Sequence, residues 1–402
     1  MRRYLQVFAL SMAMAACGDD GTGGTPVAPT SLISGQYTAV TAVTTQRALA
    51  TSLEATRAAA KMYQWDAVDA ALAPTSATGA LLAQLDATWT GDAAGTSPTG
   101  LRGAIQAAVS RARMNAGDTA VRGLSAQVVE KTLINAQQLA MLDELRAAIA
   151  DAQAQRWSSA RERWDRAAVF LDGLAARYTT RSATALMGVW GPSSTTLSDE
   201  NVAERSAQLF ASGAQLLTAQ AQGNFVDTAA QLSVYANKYF FLSAVNYGHV
   251  VAARAAMMGA DAETPRVEGS AFFEGVVVPW AGRGADTAMT AAVSEARMRW
   301  TSGPSRVAML RDCARIYALL AGSWAQGYAG ASADERAITR GRFRGLVDLL
   351  DEALAYAGQD VAALRAKVTE AAARSATNDH AGAAALLTEV QAAVNAVTTA
   401  GM

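Results

Sequence analysis

"ARERWDRAAVFLDG", Ala160 to Gly173, is the stretch whose reading decides the fold. At the helical period, Trp164, Ala167, Leu171, Leu174 and Tyr178 share one face. Glu162, Asp165 and Asp172 gather on another, with Arg161 and Arg166 beside them, so the segment reads as an amphipathic helix with a solvated acidic side. Glu162 and Arg166 are spaced as a favoured i,i+4 pair. A later stretch, "RVEGSAFFEGVVVPW", Arg266 to Trp280, repeats the order of acid, small residues, Ala and Phe. As a helix it is apolar in nearly every direction, and such a helix is buried, although "GVVVPW" alone also fits a strand. Glu268 and Glu274 then go inside, where a carboxylate must be neutralised, paired or metal-bound.

The same three-and-four spacing of apolar residues runs through the chain and no convincing alternating strand appears, so the fold class is all-α, a multi-helix bundle. The spacing predicts helices over 36–72, 78–90, 99–116, 124–154, 156–178, 181–189, 199–221, 224–259, 266–281, 284–301, 304–328, 333–357, 360–376 and 379–398. Ser198 and Ser332 stand as N-caps. Short connections favour antiparallel neighbours. Trp65-Asp66, Trp164-Asp165 and Val267-Glu268 recur at similar intervals, and "SAT" follows the first two, which suggests a tandem duplication. The expected divisions are a first bundle at 35–190, a second at 191–331 and a C-terminal helical set at 332–402.

The N-terminus, "MRRYLQVFALSMAMAAC", has a basic start and an apolar stretch too short to span a bilayer. It ends Met14-Ala15-Ala16-Cys17, small residues directly before a cysteine, which resembles a lipoprotein cleavage site. Residues 1–16 are read as signal peptide and 17–34 as a lipidated, flexible tether rich in Gly, Asp, Thr and Pro. Cys17 would carry acyl chains that hold the protein on a membrane. Gly18, and not Asp, follows it, which points to the outer membrane. No later segment reads as a membrane span: the most apolar run, "VYANKYFFLSAVNYGHVV", is broken by Asn237, Lys238, Asn246 and His249.

With 34 Lys and Arg against 35 Asp and Glu the chain is nearly neutral, and no basic arm suggests a nucleic-acid partner. Cys313 is left alone once Cys17 is lipidated, and reads as a small buried residue on a helix. No His-Glu-x-x-His, paired Glu-x-x-His, Gly-x-Ser-x-Gly or phosphate loop is present, so no enzyme is expected.

Two accounts of the acids remain open. In one, Lys238 pairs with Glu268 or Asp165, and the acids serve ion pairs within a structural or protein-binding envelope lipoprotein. In the other, Asp165, Glu268 and Glu274 join Tyr247 or His249 around a polar cavity. Such hard oxygen donors suit iron, manganese or calcium better than zinc or copper.

The segments "RWDRAAVFLDG", "LSAVNYGHV" and "RVEGSAFFEGVVVP" resemble those of the low iron-inducible periplasmic, iron-assimilating proteins of algae and their bacterial relatives. The resemblance covers roughly residues 155–290 and includes Glu268, Gly269, Phe273 and Pro279. It implies an extracytoplasmic helical protein that binds iron or a small iron-containing ligand for uptake. Asp165, Glu268 and Tyr247 are the acid and phenol positions that match.

Overall fold

The computed structural model describes residues 29–89, 100–179, 202–238, 263–273, 287–301 and 306–399. Cys17, Tyr247, His249 and Glu274 lie outside them, as does the side chain of Glu268. The described residues form an all-α body with one small hairpin. The hairpin strands are β1 (Thr30–Leu32) and β2 (Tyr37–Ala39). The helices begin with α1 (Thr44–Lys61), α2 (Trp65–Ala71), α3 (Ala77–Trp89), α4 (Gly100–Met114), α5 (Thr119–Gln153) and α6 (Trp157–Thr179). There follow α7 (Val202–Thr218), α8 (Gln222–Tyr235), α9 (Glu263–Phe272), α10 (Thr287–Thr301) and α11 (Arg306–Ala325). The last four are α12 (Ala333–Leu349), α13 (Asp351–Tyr356), α14 (Val361–Ala376) and α15 (His380–Thr399).

Most expected helices within the described residues are present with small boundary shifts; the one at 181–189 lies outside them, those at 224–259 and 266–281 are described only to residues 238 and 273, the first of these ending at Tyr235, and two others are corrected. The expected helix at 36–72 is the second strand followed by α1 and α2. β2 pairs antiparallel with β1, Leu32 opposite Tyr37, around a turn in which Ile33, Ser34 and Gly35 all have positive φ. Three-residue strands are too short to show an alternating pattern. The expected tether at 17–34 therefore ends in ordered chain: Leu32 and Ile33 are each 1% exposed. The expected helix at 333–357 is divided at Leu350 into α12 and α13.

α5 is the axis of the molecule. Along its middle third it is covered on every side, packing against α1, α4, α6, α8 and α9. Val129, Leu133 and Ile134 are buried there together with Glu130, Lys131, Asn135, Gln137 and Gln138. Each buried amide or charge needs a partner, and Gln137 donates to the Phe170 carbonyl at 2.9 Å while Gln138 donates to that of Ala236 at 3.2 Å. α12 lies along α8, and α15 against α11. Packing therefore runs across the expected divisions at 190/191 and 331/332.

Five helices, α1, α5, α7, α13 and α14, end the same way. Tyr63, Gln155, Gln220, Gly358 and Asn378 take the left-handed conformation just past the helix. Their amides and those of the next residues close back onto the last turn, as in Gln155 N to Ala152 O at 2.9 Å and Arg156 N to Asp151 O at 2.8 Å. A new helix starts within three residues, so these corners set the antiparallel stacking. They also separate the two Trp–Asp pairs. Trp65 opens α2 directly after a corner and its neighbour Asp66 is fully exposed, whereas Trp164 and Asp165 lie mid-helix and buried. The residue of α6 that corresponds to Trp65 by position after the corner is Trp157.

Trp164 ties α6 to α7 and α8. Its ring meets Phe210 at 4.9 Å and Phe225 at 5.1 Å between centroids, and its indole N–H donates to the Phe210 carbonyl at 2.9 Å. Gly213 makes room for it, since a Cβ there would sit 2.3 Å from the indole.

Candidate functional site

Asp165 is not on a solvated face: its exposure is 0%. A helical wheel considers one helix alone, and the chain that covers this side of α6 is the hairpin and the residues just after it. Tyr37 Oη donates to Oδ1 at 2.5 Å and Arg161 Nε to the same oxygen at 3.0 Å. Oδ2 accepts from the Val40 amide at 2.9 Å, the Thr41 amide at 3.0 Å and Thr41 Oγ1 at 2.9 Å. Burial first, and then the adjacent Asp165 charge, push the Tyr37 phenol well above its usual range, so it remains a donor. Seven residues on along α6, Asp172 accepts from the Ile33 amide at 2.6 Å. Two acids of α6 thus bind the hairpin, and Asp165 is satisfied on both oxygens.

Lys238 is not the partner of Asp165, and its other expected partner, the Glu268 side chain, lies outside the described residues. Its Nζ reaches Asp351 Oδ1 at 2.8 Å, Glu352 Oε1 at 3.1 Å and the Asp348 carbonyl at 3.1 Å, and its side chain is 1% exposed. Asp348 in turn accepts from Gln231 at 3.0 Å and from Arg365 at 2.8 Å, and Arg365 lies 3.3 Å from Asp351. Burial raises the Glu352 carboxyl well above its usual range despite the lysine, and the adjacent Asp351 adds to the rise. Asp351 is lowered: burial opposes its charge, and Glu352, Lys238 and Arg365 together outweigh it. The pair therefore holds one negative charge more readily than two, and Glu352 is the more readily protonated of the two.

This cluster was missed from the sequence. Its signal is "DLLDEALAY", in which Asp348, Asp351 and Glu352 stand three and four apart among leucines, on the side of a helix that should be apolar.

Of the five residues expected to hold a metal, Asp165 alone has a described side chain, so no convergence of the set is seen. Glu268 belongs to α9, which packs on α5 through Asn135, donating to the Ala271 carbonyl at 2.7 Å, and Lys131, whose Nζ is 5.8 Å from the centre of the Phe272 ring. Among the described residues, no three His, Cys, Asp or Glu side chains are grouped to hold an ion. No described helix is long and apolar enough to cross a membrane. Cys313 is buried, and burial followed by the neighbouring Asp312 charge pushes its thiol well up. Comparison with family models, with curated proteins and with solved structures returned no match.

Proposed function

We propose that this chain is a non-catalytic, lipid-anchored envelope protein whose helical body is a rigid binding scaffold, its buried acids serving internal ion pairs. Asp165 carries the reading. A fully buried carboxylate that accepts two hydrogen bonds on one oxygen and three on the other joins parts of the fold and leaves no oxygen for an ion. The pairing of Lys238 with Asp351 and Glu352 supports it in the same way. An iron site of the kind the family resemblance implies would have to be built from Glu268, Glu274, Tyr247 and His249, without Asp165.

The anchor rests on the two arginines, the apolar stretch and Met14-Ala15-Ala16-Cys17. Acyl chains on Cys17 contribute about 0.8 kcal/mol per buried methylene, and two or more chains make attachment stable. The body would then sit at the outer membrane, within reach of an envelope partner or a small ligand. Fractionation of bacteria producing the full chain tests this. The wild type should incorporate labelled palmitate and sediment with outer membranes, and Cys17→Ser should do neither. Unlabelled wild-type protein in the soluble fraction would overturn the anchor.

A further inference from the structure

α12 carries Arg336, Arg340 and Arg344 at four-residue steps, which places three cations on one helical face. Like charges at this spacing repel, and a fold that keeps them together supplies a counter-charge. Gly341 and Gly345 draw the backbones of α12 and α8 into contact: a Cβ on Gly341 would lie 2.1 Å from the Asp227 carbonyl oxygen, and one on Gly345 2.5 Å from that of Gln231. The close approach brings Asp227 of α8 beside the arginines, with Oδ1 3.1 Å from Arg344 Nη1 and Oδ2 3.7 Å from Arg340 Nε.

A cavity of about 480 Å³ opens beside this seam, between α8, α12 and the end of α14. All three arginines line it, and Asp227 is the one carboxylate among its lining residues. The balance is an excess of positive charge. Asn224, Thr228 and Ser375 add neutral polar groups. Arg340 is held in place: its Nη1 donates to the Tyr328 hydroxyl at 3.1 Å, and that hydroxyl is bonded to Ser375 Oγ at 2.7 Å. Its Nε is buried and has no hydrogen-bond acceptor. Arg336 donates to the Ala331 carbonyl at the mouth of the helix.

We propose that this cavity binds a small multivalent oxyanion, a phosphate monoester or a di- or tricarboxylate, through Arg336, Arg340 and Arg344. Guanidinium forks match the paired oxygens of both groups, and the volume suits a ligand of that size. The site shares no lining residue with Asp165 or the Lys238 cluster, and it stands whether or not Cys17 is lipidated.

Calorimetric titration of the purified full chain with inorganic phosphate, phenyl phosphate and citrate tests it, with potassium chloride at matched ionic strength as the control. Saturable binding of at least one oxyanion is expected, weakened roughly tenfold or more in Arg340→Gln and in Arg336→Gln. Arg336 is only partly buried, so its variant keeps the test valid should Arg340→Gln fold poorly; circular dichroism verifies both. Binding of the phosphates alone assigns the ligand to phosphoryl compounds, and binding of citrate alone to carboxylates. No saturable heat from any of the three, or equal affinity in a folded variant and the wild type, overturns the site.

Discussion

Tyr37 donates its hydroxyl to Asp165 at 2.5 Å, joining residues 128 positions apart in the chain. The bond fixes a hairpin of two three-residue strands to the middle of a 23-residue helix. Such a hairpin is not stable alone, and its ordering depends on what it docks against. Tyr37→Phe should therefore lower stability by about 1.5–3 kcal/mol, the scale of a hydrogen bond to a charged group. Asp165→Ala should cost about 3–5 kcal/mol, because Arg161 is left without its buried partner. In urea unfolding the double variant should lose less than the sum of the two. Additive losses would mean that the two residues act separately.

The corners give a prediction of opposite sign. Gln155 and Gln220 are exposed and hold φ of +57° and +52°, a conformation that costs a side chain energy and glycine almost none. Gln155→Gly and Gln220→Gly should each stabilise by up to about 1 kcal/mol after the greater freedom of glycine in the unfolded chain is subtracted. Thermal unfolding reads this directly, and a fall in Tm for both would show that the glutamine side chains make contacts worth more than the strain.

Gly341 offers a packing test. Alanine there should cost about 1–3 kcal/mol by forcing α12 away from α8. Gly223→Ala is the control, since nothing lies within 4 Å of its added methyl, and its stability should be unchanged or slightly higher. Equal effects at the two positions would remove the close approach as the reason α8 and α12 pack together.

The pH dependence follows from Glu352. A carboxyl whose folded pKa is raised adds stability that is complete below its unfolded pKa and is lost as pH rises toward the folded value. Wild type should thus lose part of its stability above about pH 4.5, the ordinary glutamate range. Glu352→Gln imitates the protonated acid, so its Tm should fall less between pH 5 and pH 8. Identical slopes in the two proteins would place the proton elsewhere.

What could be read in the sequence was whatever depends on one helix at a time. The periodicity located most helices, and "SADE" located the cap in which Ser332 and Glu335 exchange hydrogen bonds. The fate of Asp165 could not be read this way, because the residues that cover it are Tyr37, Val40 and Thr41, far off in the chain and within a stretch expected to be helix. Lys238 was recognised as a cation in need of an acid, yet its partners came from α13, beyond the last expected division. The pairing of Trp65-Asp66 with Trp164-Asp165 matched letters whose positions relative to the helix start differ.

The central claim is that the buried acids of this chain hold its own helices and hairpin together. Iron titration of the full chain, purified in detergent, with bound metal determined by mass spectrometry, addresses it most directly. The account predicts no saturable iron in the wild type, and the same result in Asp165→Asn and Glu268→Ala. One iron per chain in the wild type, lost in folded Asp165→Asn, would contradict it.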